Sequence, residues 1–328
     1  MNKRIIKINK DILFIYIIAQ KMDILYQLPF PKEVCSKIFI FACKSPHSGL
    51  GVCILKKQLG IDLNIPEKDE DVIIFDACSS DILYAPDDYP DYLPIDIYYY
   101  TCFYNLTEIN LMSTYVKGDI KHLNSMPNLT EIILIRTNVK GDIVHLKSLL
   151  NLIEIDLSHT DVSGDIIHLK SLQNLTHIGI SSTRVNGDIL HLKSLHNLIV
   201  INLNDTDITG NIEHLKSLQN LNILDFRNTK VNGNIANLKS LSKLTEIYLG
   251  NWGGYNSGVY GDIENLTSLH NLTDIHLSYT AVTGNIENLK SLPNVINIAL
   301  SRTGVTGDKE AFKEYRENEG LEECLINI

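Results

Sequence analysis

The chain has 328 residues, of which 44% are hydrophobic and 21% are charged, and its formal net charge is −10. This composition can bury a sizeable core, and it excludes a disordered chain, in which apolar residues are few and net charge is high. Lys and Arg outnumber Asp and Glu by ten to three in residues 1–61, but they are outnumbered by one to eleven in residues 62–96 and by 18 to 25 thereafter. The sequence therefore predicts no nucleic-acid partner, because the repeats described below are acidic.

The first 20 residues combine four basic residues, Lys3 to Lys10, with an apolar run over residues 12–19. This order is typical of a signal peptide, but Asp11 interrupts it and no small-x-small cleavage site follows. The run is also too short to span a membrane. The alternative is an N-terminal helix or extension, with Met22 beginning the folded part. Six scattered cysteines favour reduced thiols. We therefore predict a cytoplasmic protein without a membrane span, with secretion as the alternative.

Residues 28–42 read LPFPKEVCSKIFIFA and place apolar residues at helical spacing after a proline suited to a first helical turn. The segment resembles the opening of an F-box, the module that binds a Skp1-like adaptor of ubiquitin ligases. The resemblance implies adaptor contacts at five positions: Leu28, Pro29, Val34, Ile38 and Phe41. Between Pro29 and Glu33 this segment has one or two residues more than the F-box pattern has. The alternative is a helical cap that shields the first repeat.

Residues 62–104 are acidic and rich in tyrosine and proline, and they predict a connecting cap. Strands are expected at residues 72–75 and 95–100. The loop between them carries Asp87, Asp88 and Asp91, whose spacing matches no calcium loop, so a solvated turn is expected.

From residue 105 to residue 307 a pattern recurs every 23 residues: L-x-x-I-x-L-x-x-T-x-V-x-G-[DN]-I-x-x-L-x-S-L-x-N. Nine copies begin at Leu106, Leu129, Leu152, Leu175, Leu198, Leu221, Leu244, Leu272 and Val295. The opening apolar residues, two apart, predict a short strand, and the irregular apolar spacing that follows predicts a coil that closes on itself. Stacked coils then share one core.

This array resembles leucine-rich-repeat proteins, and its V-x-G-[DN]-I segment is similar to that of the plant-type class. The resemblance implies an α/β solenoid with a curved parallel sheet on the concave face and short turns or 3-10 segments on the convex face. It also implies a non-enzymatic scaffold that binds macromolecules on the concave sheet. This unit is one residue shorter than the plant type and lacks its proline.

Three repeat positions predict how each coil turns. Glycine recurs from Gly118 to Gly307, where a positive φ or a close approach is expected. The Asp or Asn after it favours a turn or helix start. The threonine column from Thr114 to Thr303 is expected to form a ladder of hydroxyls that satisfies buried backbone groups between coils.

No catalytic or cofactor motif is present, so we predict neither an enzyme nor a cofactor. Five histidines share one repeat position: His122, His145, His168, His191 and His214. They could approach a shared metal, but the same column continues as asparagine, a poor zinc ligand, so no metal site is expected.

The solvent face of each strand is where binding is expected, because side chains alternate along a strand. The acidic character of this face favours a basic protein partner. These positions and the base beside them give the candidate partner-binding residues: Glu108, Glu131, Ile133, Glu154, Asp156, His177, Asn202, Asp225, Arg227, Glu246, Tyr248, Asp274 and His276. Five additional residues interrupt the array after Leu249, and this glycine-rich insertion adds Trp252 and Tyr255 as candidate contacts. The alternative for Trp252 is that it fills the space of the missing threonine.

The chain ends in a predicted cap over residues 308–328, in which Asp308 begins a helix with Ala311, Phe312 and Tyr315 on one face, followed by strand-spaced Leu321, Cys324 and Ile326. The predicted order is thus an N-terminal helical region (1–61), a connecting cap (62–104), nine repeats (105–307) and this C-terminal cap. The preferred function is an intracellular interaction scaffold. The alternatives are a ubiquitin-ligase substrate receptor and a secreted or surface recognition protein.

Overall fold

The computed structural model describes residues 5–7, 74–76, 96–102, 106–251 and 258–328. Within these ranges the chain winds into stacked coils, and each of the nine repeats contributes one strand to each of two parallel sheets. Leucine, isoleucine and valine from every coil form one continuous buried core. The F-box-like segment and the loop over residues 77–95 lie outside the described residues.

Twelve short strands form the first sheet, which we call the concave sheet. Neighbouring strands pair equivalent repeat residues, so that Glu131 lies between Glu108 and Glu154. This register matches the predicted alignment of the repeats. The strands are β1 (Ile5–Lys7), β2 (Ile74–Asp76), β3 (Glu108–Asn110), β5 (Glu131–Ile133), β7 (Glu154–Asp156), β9 (His177–Gly179), β11 (Val200–Asn202), β13 (Ile223–Asp225), β15 (Glu246–Tyr248), β17 (Asp274–His276), β19 (Asn297–Ala299) and β21 (Leu325–Asn327).

A second parallel sheet, formed by the V-x-G-[DN] segments, was not predicted from the sequence. Only turns and 3-10 segments were expected on this side, because a strand with a central glycine lacks the usual alternation. The valine or isoleucine of each segment is nevertheless buried, and the backbone pairs with the coils on either side, as β10 (Arg184–Asp188) does with β8 (Asp161–Asp165) and β12 (Asp207–Asn211). Its strands are β4 (Lys117–Asp119), β6 (Asn138–Asp142), β8 (Asp161–Asp165), β10 (Arg184–Asp188), β12 (Asp207–Asn211), β14 (Lys230–Asn234), β16 (Gly258–Asp262), β18 (Ala281–Asn285) and β20 (Gly304–Thr306).

A 3-10 helix follows each strand of the second sheet except β20, as the resemblance implied for the convex side. The Asp or Asn after the glycine caps it: Asp165 Oδ1 accepts a hydrogen bond from the Ile167 amide at 2.8 Å. Among the described residues the 3-10 helices are Ile97–Cys102, Ile120–Ser125, Ile143–Leu146, Ile166–Leu169, Ile189–Leu192, Ile212–Leu215, Ile235–Leu238, Ile263–Leu266 and Ile286–Ser291.

The glycine column has the predicted positive φ. Gly187 has φ +109°, and a Cβ atom there would lie 2.3 Å from Asp165 Oδ1 in the preceding coil. Glycine is therefore required both by the backbone conformation and by the capping carboxylate that packs against it.

The threonine column satisfies backbone groups, but the prediction that it does so between coils is wrong. The Thr160 hydroxyl donates to the carbonyl of Leu157, three residues earlier in its own coil, at 2.6 Å. The reason is local: the residue before each threonine has a positive φ, as at His159 (φ 57°), and this bend turns the hydroxyl back onto the same turn.

Asparagines at the end of the repeat form the side-chain ladder that joins the coils. Asn174 Nδ2 donates to the Leu150 carbonyl and Asn197 Nδ2 to the Gln173 carbonyl, each at 3.0 Å and each one coil back.

The two ends of the array differ partly from expectation. A strand at residues 74–76 lies close to the predicted one, but the strand predicted at residues 95–100 is a 3-10 helix, Ile97–Cys102. Asp96 explains the difference, because its Oδ1 accepts a hydrogen bond from the Tyr98 amide at 2.9 Å, as the capping residues of the repeats do.

The C-terminal helix α1 (Lys309–Asn318) begins after Asp308 as predicted, and β21 follows it. Phe312 is buried, but Ala311 is exposed and Arg316 is 1% exposed, contrary to the predicted apolar face. The Arg316 guanidinium donates to the carbonyls of Leu292, Pro293 and Glu322 at 3.1–3.2 Å. These bonds fasten the cap to the last 3-10 turn.

Candidate partner-binding surface

The solvent-facing positions of the concave sheet carry one sign of charge. Between β3 and β19 they include seven carboxylates and neither lysine nor arginine. The carboxylates belong to Glu108, Glu131, Glu154, Asp156, Asp225, Glu246 and Asp274. Most of these side chains are half-buried, and Asp225, at 5% exposure, is the buried exception.

The first half of this face is a row of carboxylates over three coils. Glu108, Glu131 and Glu154 occupy one register position, and Ile133 lies opposite Asp156 in the next. Asp156 Oδ1 accepts from the Ser158 amide at 2.9 Å, which fixes its orientation. Strands lie about 4.8 Å apart, so neighbouring carboxylates repel and favour a cationic ligand.

The middle of the face is less charged. His177 takes the next place in the glutamate column, and its Nδ1 lies 2.8 Å from the Thr176 hydroxyl. Asn202 Oδ1 accepts a hydrogen bond from Asn204 Nδ2 at 2.7 Å, and Asn204 also donates to Asp225 Oδ2 at 3.0 Å. Sequence reasoning did not include Asn204 among the candidate contacts, although its place two residues after the end of a strand was a usable signal.

The second half contains the Tyr248 cluster, which comprises Asp225, Arg227, Glu246, Tyr248 and His276. Asp225 binds the Arg227 guanidinium through both carboxylate oxygens, at 2.9 Å and 2.5 Å. The guanidinium lies over the Tyr248 ring, 4.7 Å from its centroid, and the His276 ring lies 4.7 Å from the same ring. The Tyr248 hydroxyl donates to Glu246 Oε2 at 2.9 Å.

Two more residues complete the surroundings of this cluster. Asp274 lies opposite Glu246 in the next strand, and Asn297 Nδ2 lies 2.9 Å from His276 Nε2. The structure thus brings together six residues that were predicted separately, from Asp225 to His276. The sequence analysis did not include Asn297 among the candidate residues.

Burial and charge determine the protonation states in the cluster. Burial, reinforced by the hydrogen bond to Glu246, raises the pKa of Tyr248 above its ordinary value. Burial and the nearby Arg227 charge lower the pKa of His276. The hydrogen bond to Asp225 raises the pKa of Arg227. The cluster is therefore held as a neutral phenol and imidazole beside an arginine whose charge Asp225 compensates.

This arrangement is suited to binding. Tyr248 presents aromatic area whose orientation is fixed on three sides, so little side-chain entropy is lost when a ligand covers it. Glu246 and Asp274 place negative charge beside the ring. A cationic side chain with an apolar stem is the complementary group.

Several predicted positions lie outside the described residues. Trp252 and Tyr255 are among them, although Asn251 before them is described and its Oδ1 accepts from the Asn228 amide at 2.9 Å. The five adaptor-binding residues of the F-box-like segment are also outside. Contact by the insertion and binding of an adaptor stay predictions.

The five histidines of the shared repeat position are half-buried on the 3-10 helices, on the other side of the coil from the Tyr248 cluster. Among the described residues no three His, Cys, Asp or Glu side chains are arranged to hold a metal ion. Cys324 is a buried free thiol, and burial raises its pKa to about 11.

Solved structures with this architecture are known. A TDR receptor has a TM-score of 0.61 at 22% identity, over 73% of this chain and 40% of that one. The Arabidopsis receptor kinase HAESA, solved with the peptide hormone IDA and the co-receptor SERK1, has a TM-score of 0.55 at 28% identity, over 63% of this chain and 35% of that one. A plant ice-binding protein has a TM-score of 0.57 at 18% identity, over 79% and 84% of the two chains.

The fold is a leucine-rich-repeat solenoid. The chain matches less than half the length of the two receptors. No family model matches the sequence, and no curated protein matches it.

These relatives also correct one prediction. A cytoplasmic, intracellular location is wrong by this comparison, because the similar chains include the extracellular domains of plant receptor kinases. Cysteine spacing had favoured reduced thiols, and that spacing is too weak a signal to decide the compartment. In the part of the chain that the structure describes, no helix has the length and apolar character needed to cross a bilayer.

Proposed function

We propose that this chain is a non-enzymatic scaffold that binds a basic segment of a protein or peptide partner across its concave sheet. The observation that carries the proposal is the Tyr248 cluster, set in a face whose strand positions carry seven carboxylates and no lysine or arginine. The HAESA complex, in which a receptor of this fold holds a peptide hormone, supports a peptide-binding use of the fold.

The two halves of the face have different roles in this proposal. The glutamate column raises the local concentration of a cationic partner and accelerates association. The Tyr248 cluster supplies the contact area that determines how long the complex lasts. Glu246 and Asp274 select a lysine or arginine beside the ring.

Selection from a random peptide library displayed on phage, with the full chain as bait, tests this function. We expect the selected peptides to be enriched in Lys and Arg next to apolar residues. Tyr248→Ala should weaken binding of a selected peptide about tenfold or more without unfolding the protein. Glu131→Lys with Glu154→Lys should mainly slow its association.

Lys140→Glu serves as a control because Lys140 is exposed on the second sheet. It should leave peptide binding unchanged. Selected peptides without a basic bias, or binding that survives both sets of concave-face variants, would refute the proposal.

A further inference from the structure

One flank of the solenoid is basic although the protein as a whole is acidic. In five consecutive coils the chain runs from the 3-10 helix back to the concave strand through residues 145–153, 168–176, 191–199, 214–222 and 237–245. These segments, which we call the basic flank, contain six lysines and neither Asp nor Glu. The net charge of the repeats is negative in spite of these lysines, because the acidic residues lie elsewhere in each coil.

Five of these lysines form a column at one repeat position, one per coil: Lys147, Lys170, Lys193, Lys216 and Lys239. All five are exposed, and within the described part of the chain none of their ammonium groups has an ion-pair or hydrogen-bond partner. Coils stack at about 4.8 Å, inside the Debye length of about 8 Å at physiological salt, so the column repels itself. A polyanion would remove this repulsion.

A groove of about 930 Å³ lies along the same flank, between the lysine column and the concave sheet. Its lining includes the asparagine ladder: Asn151, Asn174 and Asn197 each use one N–H to bond the preceding coil. A primary amide has two N–H groups and an oxygen, so each retains a donor and an acceptor. Ile153 and Ile199, at 45% and 36% exposure, supply apolar contacts in the groove.

This combination fits a peptide main chain better than other polyanions. Amides that offer both a donor and an acceptor complement peptide groups, as in other recognition of extended peptides. The groove lining contains no Phe, Tyr or Trp, whereas single-stranded nucleic acids are usually bound by stacking on aromatic rings. The lysine column spans about 19 Å, which an extended peptide covers with about six residues.

We propose that the basic flank binds an extended acidic peptide segment of a partner protein. Asn151, Asn174 and Asn197 bind its main chain, Ile153 and Ile199 contact its apolar residues, and the lysine column binds its carboxylates. This site is separate from the concave sheet and takes a ligand of opposite charge.

The test measures binding of a fluorescent peptide of about eight alternating Asp and Val residues to the full chain, by anisotropy. The same peptide with Asn in place of Asp is the uncharged reference. We expect the Asp peptide alone to bind, and raising the salt from about 0.05 to 0.5 M to weaken it steeply. Triple substitution of Lys170, Lys193 and Lys216 by Glu should weaken it at least about tenfold.

Matched variants separate the flank from overall charge. Replacing Lys140, Arg184 and Lys230 by Glu changes net charge by the same amount at exposed positions of the second sheet, and it should leave peptide affinity within about twofold. Ile199→Asp should weaken binding through the groove, and Tyr248→Ala on the concave sheet should have no effect. Far-UV circular dichroism checks that each variant is folded.

Two kinds of result would overturn the proposal. The first is no binding of the Asp peptide, or equal weakening by both triple variants. The second is tighter binding of heparin or of a single-stranded oligonucleotide than of the peptide, which would assign the flank to another class of polyanion.

Discussion

Replacement of Gly187 by valine tests how the coils turn. Valine at φ +109° would be strained by about 1–3 kcal/mol. Its Cβ would also lie 2.3 Å from Asp165 Oδ1, so the carboxylate would have to leave the Ile167 amide that it caps. Loss of such a cap costs about 0.5–2 kcal/mol. The expected destabilisation is therefore about 1.5–5 kcal/mol, measured by urea unfolding with circular dichroism.

Gly320 provides the matched control, because it has a positive φ (+68°) but no atom within 4 Å of the position of a Cβ. Gly320→Val should show only the backbone strain, about 1–3 kcal/mol. In an Asp165→Ala background, Gly187→Val should cost about 1 kcal/mol less than in the wild type, since the clash is gone. Unfolding of Gly187→Val at the wild-type urea concentration, or equal costs in both backgrounds, would show the reasoning to be wrong.

Three further predictions follow from single contacts. Asn197→Ala removes the bond to the preceding coil and should lower the free energy of unfolding by about 1 kcal/mol in urea titrations. Arg316→Met should lower it by about 2–4 kcal/mol and speed hydrogen exchange in β21, whereas Lys313→Met, in an exposed ion pair, should change it by less than about 0.5 kcal/mol. Because burial lowers the pKa of His276, its neutral form is favoured in the folded state. The stability that this group contributes is present above about pH 6.5, the ordinary pKa of histidine, and is lost as the pH falls through the lower pKa of His276 in the folded state. His276→Gln should therefore reduce the shift of the urea midpoint that acid causes.

Each of these three predictions has an outcome that would contradict it. Unchanged stability of Asn197→Ala would mean that water replaces the ladder bond. Slow exchange in β21 of Arg316→Met would show that the cap is held by Phe312 alone. An identical pH dependence in His276→Gln and the wild type would remove any role of His276 protonation in stability.

The repeat made most of the fold predictable, because each apolar residue of the pattern recurs in nine coils and has one inward-facing position. The positive φ of the glycine column was also predictable, because glycine recurs at this position in every repeat and only glycine adopts that conformation at no cost. The second sheet was not predicted, because its strands pair through backbone groups around a glycine. Such strands do not show the alternation of apolar and polar side chains by which a strand is recognised in a sequence. The 3-10 helix at Ile97–Cys102 escaped because an Ile-Tyr run fits a strand equally well until Asp96 is recognised as its cap.

The candidate site was only partly predictable. Alternation along the strands identified the outward-facing positions, and the register placed Tyr248 beside His276 and Glu246 beside Asp274. It did not indicate that Arg227, two positions past its strand, folds back onto Asp225 and covers the Tyr248 ring. That contact depends on rotamers and on burial of Asp225, and a one-dimensional pattern contains neither.

The distribution of charge over the faces of a solenoid is difficult to recognise from its sequence. A residue type at one repeat position becomes a row on one face, so Glu154 and Lys170, although they belong to the same coil, contribute to opposite rows. Averaging over residues 105–307 merges the two rows into a mild acidic excess. In the folded chain they are separated: carboxylates line the concave sheet, and unpaired ammonium groups line the flank. Under the two binding proposals, a partner is sorted by the sign of its charge before any specific contact forms, and partners of opposite charge bind to different faces of the same coils.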